Sequence, residues 1–178
     1  MSYITDVRDA ITSAIQLADP TCPVANIHNR LRVPIDTSFD MVKSLYGDKN
    51  AASKDIIHGW QFTRTGSNEL EEIANDGTQA IIRTEENWLI EGYYSFKDGS
   101  LPNETEADAT EPLWQALVET LGMKMRNSTS ISNLETKYGC YVQTVSLQSI
   151  GLVYLVKEHL CHYATVSVKF WHEDHIAT

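Results

Sequence analysis

The sequence predicts a single α+β domain, residues 1–178, built on a mostly antiparallel sheet of four or five strands with two main helices packed on one face. Two amphipathic helical patterns and several segments with strand periodicity alternate along the chain. Few of these strands are joined by long crossovers, which favours antiparallel pairing. A chain of 178 residues can bury roughly 70% of its unfolded surface without help from metals or disulfides.

The first helix is predicted from one apolar stripe with spacings of three and four residues. Its members are Ile4, Val7, Ile11, Ile15 and Ala18. Ser2 is the expected N-cap. We expect the helix to stop at Asp19-Pro20, because the residue before a proline is pushed out of the helical region.

The second main helix is predicted over Glu111 to Arg126, with Asp108 and Glu111 as a capping box and Pro112 in the first turn. Its expected apolar stripe has spacings of four: Leu113, Leu117, Leu121 and Met125. A shorter helix is predicted at 38–46, where Gly47 ends the pattern.

Strands are predicted where β-branched and aromatic residues alternate with polar ones. These segments are 24–32 (an edge strand), 56–65, 78–83, 87–96, 141–147, 152–156 and 160–171. Polar segments at 48–55, 66–77 and 99–110 are predicted to be exposed loops, and 127–133 is a further polar loop.

The last strand shows the clearest alternation. Ala164, Val166, Val168 and Phe170 share one face, and Tyr163, Thr165, Lys169 and Trp171 share the other. The strand at 87–96 also carries large apolar residues on both faces. Such a sheet is covered either by helices on one side and a partner subunit on the other, or by its own chain on both sides.

The composition and charge of the chain argue against some classes of function. Fourteen basic against 24 acidic residues leave a net charge of −10, which argues against a nucleic-acid groove. Cys22, Cys140 and Cys161 are too few and too widely spaced for a disulfide framework, so we expect reduced thiols in a cytoplasmic setting. The start has no signal-peptide pattern, and the longest apolar run is too short to span a bilayer.

The sequence predicts no catalytic, cofactor or metal site, and no enzyme activity. His159 and His162 are zinc-type ligands, as are His172 and His175, but within each pair the residues fall on opposite faces of a strand. Cys161 and His162 are neighbours on a strand and so point to opposite sides. Metal binding through these histidines stays a minor alternative to solvated or core-edge histidines.

Four stretches together resemble a family of small neck and tail proteins of tailed bacteriophages. They are His58-Gly59-Trp60-Gln61-Phe62-Thr63-Arg64, Trp88-Leu89-Ile90-Glu91-Gly92-Tyr93, Glu111-Pro112-Leu113-Trp114-Gln115-Ala116-Leu117-Val118-Glu119 and Leu160-Cys161-His162-Tyr163-Ala164. The order of these stretches is similar to that in the tail terminator proteins of long-tailed phages. The resemblance implies an α+β virion protein, assembled in the host cytoplasm, that works through interfaces.

What the resemblance implies about partners is a homo-oligomeric ring, a hexamer, that caps the major tail tube protein and joins it to the head–tail connector. Identical subunits in a ring need two complementary patches. We expect Arg30, Arg32 and Arg64 on one patch and the acidic segment 104–111 on the other, with Tyr163, Lys169 and Trp171 also at an interface. A head-completion or connector protein and a cytoplasmic ligand- or protein-binding module remain the alternatives.

Overall fold

The computed structural model describes residues 2–31, 45, 57–75, 79–95, 104–156 and 159–177. Three helices lie in these ranges: α1 (Tyr3–Ala18), α2 (Glu104–Asn127) and α3 (Thr129–Tyr138). The strands are β1 (Ile27–His28), β2 (His58–Asn75), β3 (Gln79–Ser95), β4 (Tyr141–Val156) and β5 (His159–Ala177). No helix of this described part is long and apolar enough to cross a membrane.

The five strands form one sheet in the order β1-β2-β3-β5-β4. Only β1 pairs in parallel, with β2; the other three pairings are antiparallel. The central β3–β5 ladder keeps one register from Gln79↔Ala177 to Ser95↔Cys161. The predicted α+β fold, with its mostly antiparallel sheet, is confirmed.

The core lies between the helices and one face of the sheet, which we call the helix-side face. On the sheet this face carries buried rings and branched side chains: Trp60, Phe62, Trp88, Ile90, Val166, Val168 and Phe170. Val7, Ile11 and Ile15 of α1 meet them and are fully buried, as the stripe predicts. Burying side chains of this kind stabilises the domain by roughly 1.5–3 kcal/mol each.

The predicted ends of α1 are confirmed by its caps. The Ser2 Oγ accepts from the Thr5 backbone N–H at 3.4 Å. At the other end, the Asp19 N–H donates to the Ile15 carbonyl at 2.8 Å, and Pro20 follows outside the helix. Ser2 therefore satisfies one of the donors that an α-helix leaves open at its start.

The predicted start of α2 is wrong, and its predicted stripe is confirmed only in part: Leu121 and Met125 are buried and Leu117 packs against the core. The helix begins at Glu104, seven residues before the expected Glu111, so Pro112 lies inside it. Leu113 is 71% exposed, and the buried stripe consists of Trp114, Val118, Leu121 and Met125. A strict spacing of four advances 400° per step and drifts off one face, whereas spacings of four, three and four follow the 3.6-residue turn.

Two predicted loops are regular structure instead. Residues 66–75 continue β2, and 104–110 belong to α2. The polar segment predicted as a loop at 127–133 mostly forms α3. The β2 segment at 67–69 is polar and exposed (Ser67, Asn68 and Glu69). It therefore lacks the alternating apolar residues that predict a strand, and hydrogen bonding with β3 makes it a strand nevertheless. The predicted loop at 48–55 lies outside the described residues.

Several shorter predictions also change. The segments at 78–83 and 87–96 are one strand, β3. Similarly, 141–147 and 152–156 join in β4 through register shifts. The edge strand expected at 24–32 lies at the sheet edge, but it is a short 3-10 helix (Val24–Asn26) followed by the two-residue β1. Of the helix predicted at 38–46, only Leu45 is described, and it is helical.

Candidate functional site

The face of the sheet opposite the helices, which we call the outer face, carries three of the predicted interface residues. Tyr163, Lys169 and Trp171 alternate along β5 with core residues and are partly exposed. Their neighbours Ala164 and Phe170 are fully buried on the helix-side face. The two faces predicted for the last strand are therefore confirmed.

One end of the outer face is organised around Glu91. Its Oε1 accepts from the Tyr163 hydroxyl and its Oε2 from the Gln61 Nε2, both at 2.6 Å. The rings of Tyr93 and Tyr163 lie 5.2 Å apart. Next to them, Leu45 and Tyr93 pack against buried Ile57 and Cys161.

The other end of the outer face is organised around Trp171. The Tyr141 ring lies 5.1 Å from it, and the Arg83 guanidinium lies 4.2 Å from the ring centre, a cation–π distance. Arg83 also pairs with Glu173 at 3.0 Å. Lys169 donates to Glu85 at 2.8 Å. These contacts order large side chains at an end of the outer face that none of α1, α2 and α3 covers.

The three arginines predicted for one patch do not gather on the outer face. Arg64 lies on the helix-side face, in line with Trp60 and Phe62, and its guanidinium binds the buried Glu86 carboxylate at 3.0 Å. Arg30 is exposed just after β1. Arg32 lies outside the described residues.

A buried polar cluster was missed by the sequence reasoning; we call Asp19, Cys22, His58 and Trp60 the Asp19 cluster. The Asp19 Oδ2 lies 2.6 Å from the His58 Nε2 and accepts from the Trp60 Nε1 at 2.8 Å. Its Oδ1 accepts from the Cys22 backbone N–H at 3.2 Å. Asp19 is 1% exposed and His58 4%. Local sequence offers no signal for this cluster, because 39 residues separate Asp19 from His58.

The electrostatics of the cluster favour the carboxylate form. Burial by itself would raise the pKa of Asp19, but the hydrogen bond and charge of His58 outweigh it, with further donors in Trp60 and Thr21. The pKa of Asp19 is therefore lowered from its usual value. The cluster ties the end of α1 to the first residues of β2.

A cavity of about 180 Å³ lies beside this cluster. Its lining consists of Thr21, His58, Tyr94, Leu113, Trp114 and Leu117. The Trp114 ring stacks on Trp60 at 5.3 Å, and its buried Nε1 has no partner among the described residues. Aromatic rings make up much of the lining, and Thr21, His58 and Tyr94 add polar groups to it.

Cys161 and His162 are both buried, on opposite faces of β5. Burial raises the pKa of the Cys161 thiol to about 12 and lowers the pKa of His162 to about 4. At neutral pH both side chains are therefore uncharged. The His162 Nε2 lies 2.9 Å from the Thr110 hydroxyl, and its ring stacks on Trp114 at 6.4 Å.

No family model matches this chain, and no curated protein matches it. Its function is therefore inferred from its own residues and their arrangement.

Proposed function

We propose that this protein is a virion structural subunit, a tail terminator that forms a homo-oligomeric ring on the tail tube of a bacteriophage and joins it to the head connector. The observation that carries the proposal is the partly exposed end of the outer face around Trp171. The helices α1, α2 and α3 pack on the opposite face of the sheet, and this end presents ordered aromatic and charged side chains such as Tyr141, Lys169 and Trp171. Half-exposed aromatic rings of this kind are enriched in protein–protein contacts.

The two faces of the domain offer the two patches that a ring needs. Head-to-tail contacts join different surfaces of identical subunits. One patch is the outer face. The other is the solvent side of α2, where Leu113 is 71% and Met123 54% exposed. We place the outer face of one copy against α2 of the next.

Charge contributes little to this pairing. The first eight residues of α2 contain four acids: Glu104, Glu106, Asp108 and Glu111. The outer face carries Lys169 and Arg83, but each is already paired with a carboxylate of the same face, so these cations bring no net positive charge. We therefore propose that apolar contact between Trp171 and Leu113 joins the two patches, in place of the three arginines that the sequence predicts, since Arg64 lies on the opposite face.

The sheet edges disfavour a different mode of assembly, in which the sheet continues from copy to copy. The ladders that join β2 and β4 to the rest of the sheet each contain three register shifts, while the central β3–β5 ladder has none. Bulged edges resist pairing with another chain. Contacts through faces therefore suit this domain better than edge pairing.

Among the described residues, the cavity beside the Asp19 cluster is small for the alternative of a ligand-binding module. At about 180 Å³, it is smaller than the roughly 300–1,000 Å³ of ordinary small-molecule sites. The head-completion role stays a rival within the same class of virion proteins.

Ring formation is tested by native mass spectrometry of the purified chain, alone and with tail tubes assembled from major tail protein. We expect a closed ring, a hexamer, on the tube end. Trp171→Glu and Leu113→Glu place a charge in each patch and should weaken assembly at least about 10-fold, since buried interface anchors contribute 2 kcal/mol or more. Leu17→Glu, on a 53% exposed leucine of α1, is the matched control and should assemble normally.

A chain that neither self-associates nor caps tubes would contradict the proposal. Binding to isolated head connectors and never to tubes would instead support the head-completion role. Equal assembly of Leu113→Glu, Trp171→Glu and the control would overturn the placement of the two patches. Genes for a major tail protein and for head connectors next to this gene are a further expectation.

A further inference from the structure

We propose that Asp19, Cys22 and His58 bind one zinc ion, a metal site that is separate from the assembly role. One ligand atom of each residue, a carboxylate oxygen, a thiol sulfur and an imidazole nitrogen, lies within 4.8 Å of the other two. These are the three donor types that zinc takes in proteins. Of the histidines singled out by the sequence, His162 and His172 lie outside this site.

The backbone arranges two of the ligands as a chelating turn. Asp19 ends α1, and the chain turns through Pro20 and Thr21 to Cys22, whose N–H donates to the Asp19 carbonyl at 3.2 Å. Two residues separate Asp19 from Cys22, the spacing of short metal-binding loops. His58, the first residue of β2, supplies the third ligand from a distant part of the chain.

Neighbouring groups already orient these ligands. The Asp19 Oδ1 accepts from the Thr21 hydroxyl at 3.0 Å and from the Cys22 N–H, which leaves Oδ2 directed at His58. Trp60 donates to the same Oδ2. Hydrogen-bonded carboxylates of this kind are typical of metal sites, because outer groups fix the ligand's direction.

Zinc takes the place of the proton between Asp19 and His58. That proton moves through solvent to the His58 Nδ1 if the ring is neutral, or is lost to solvent if the ring is charged, so that the bound imidazole is neutral. The Asp19 Oδ2 and the His58 Nε2 are 2.6 Å apart, and two ligands about 2 Å from a tetrahedral ion are about 3.3 Å apart. The contact therefore widens by roughly 0.7 Å when the ion enters. The Cys22 thiol gives up its proton to solvent, so that sulfur binds as the thiolate.

The charge balance suits a buried site. Zn²⁺ with one carboxylate, one thiolate and one neutral imidazole has no net charge, and an uncompensated charge is costly to bury. The three residues are 1%, 5% and 4% exposed. Nitrogen and sulfur donors also select zinc over Mg²⁺ and Ca²⁺, which prefer oxygen.

The cavity beside the cluster supplies the fourth position. Thr21 and His58 both line it, and about 180 Å³ is room for several water molecules at roughly 30 Å³ each. Three protein ligands and one water make a four-coordinate zinc site with an open position. Bound zinc would hold the end of α1 against the start of β2.

The test uses the full chain, stripped with a chelator and titrated with Zn²⁺ against a chromophoric competitor. We expect one ion per chain, bound with a dissociation constant of about 1 μM or lower, and a higher melting temperature. Co²⁺ in place of zinc should give the ligand-field bands of a tetrahedral site and a thiolate charge-transfer band. Cys22→Ser should lose that band and weaken zinc binding about 100-fold or more.

Cys140→Ser and His172→Gln serve as matched controls, since both replace buried ligand-type residues outside the cluster. Both should keep the band and the stoichiometry. His58→Gln is the second site variant, with folding of every variant checked by circular dichroism. Zinc bound equally well by Cys22→Ser and His58→Gln, no stoichiometric zinc, or a Co²⁺ complex without a thiolate band would each overturn the proposal. None of these results bears on ring formation, which the mass measurement tests separately.

Discussion

Gly92 illustrates how a single residue fits the core. A Cβ atom at this position would lie 2.7 Å from Cε3 of Trp60, inside contact distance. The Trp60 ring cannot move away easily, because its Nε1 is bound to Asp19 and its face stacks on Trp114. Only glycine therefore fits between β3 and this ring.

Gly92→Ala should accordingly lower the free energy of unfolding by about 3 kcal/mol, the upper range for overpacking a core. Urea denaturation at neutral pH measures the change. Gly122→Ala is the matched control: its Cβ would meet Leu147 at an ordinary 3.5 Å. That variant should raise stability by about 0.5–1 kcal/mol, because alanine is the better helix former. An unchanged stability for Gly92→Ala would mean that the Trp60 ring is not held as described.

At the scale of one element, Pro112 distinguishes the helix that the sequence predicts from the helix observed. In a helix starting near Glu111, a proline at 112 is favourable, because the first turn needs no N–H from it. In α2, which starts at Glu104, Pro112 is interior and removes a backbone hydrogen bond. The position is exposed, so a substitution there disturbs no core packing.

Pro112→Ala should therefore stabilise the protein by about 1–3 kcal/mol and leave the far-ultraviolet helix signal equal or larger. Thermal unfolding followed by circular dichroism measures both quantities. Exposed Ala116→Gly in the same helix is the comparison and should cost about 1 kcal/mol. A loss of stability on Pro112→Ala would instead place the start of the helix near Glu111.

Because His162 is buried, we expect the free energy of unfolding of the whole molecule to fall on mild acidification. The pKa of His162 is about 4 in the folded protein, against about 6.5 unfolded. The unfolded chain therefore takes up the proton first, and stability falls as the pH drops from about 6.5 to about 4. The loss should approach 3 kcal/mol. In His162→Gln, unfolding free energies measured across this window should change much less with pH.

At pH values below about 4, the loss of stability depends on carboxylates whose pKa is lowered in the folded protein. Hydrogen bonds from Lys137 and then Tyr138 lower the pKa of Asp6, which joins α1 to α3, and the Asp19 cluster lowers that of Asp19. A lowered folded pKa means that stability is retained above about 4 and lost as the pH falls below it. Asp6→Asn should flatten the stability curve below pH 4 and leave the window above it unchanged. If the unfolding free energy of Asp6→Asn falls with pH below 4 as steeply as that of the parent protein, Asp6 does not contribute to the acid sensitivity.

Features that depend on neighbouring residues could be predicted from the amino-acid sequence. The stripe of α1 and its caps at Ser2 and Asp19 follow from local periodicity and local hydrogen bonds, and the two faces of β5 follow from simple alternation. Each of these patterns lies within one helix or strand, so it does not depend on how the other helices and strands are arranged. The fold class also followed, because helix and strand patterns alternate in an order that favours antiparallel pairing.

Features that depend on distant partners could not be predicted from the sequence and are visible only in the folded chain. Residues 66–75 are mostly polar, and they form a strand because they pair with β3. The direction of the Arg64 side chain is set by its ion pair with Glu86, which is distant in sequence. Asp19 read locally as the end of a helix, yet across 39 residues it meets His58 in the cluster proposed as the zinc site. Contacts of this range are set by sheet register and helix packing, which a single sequence does not encode locally.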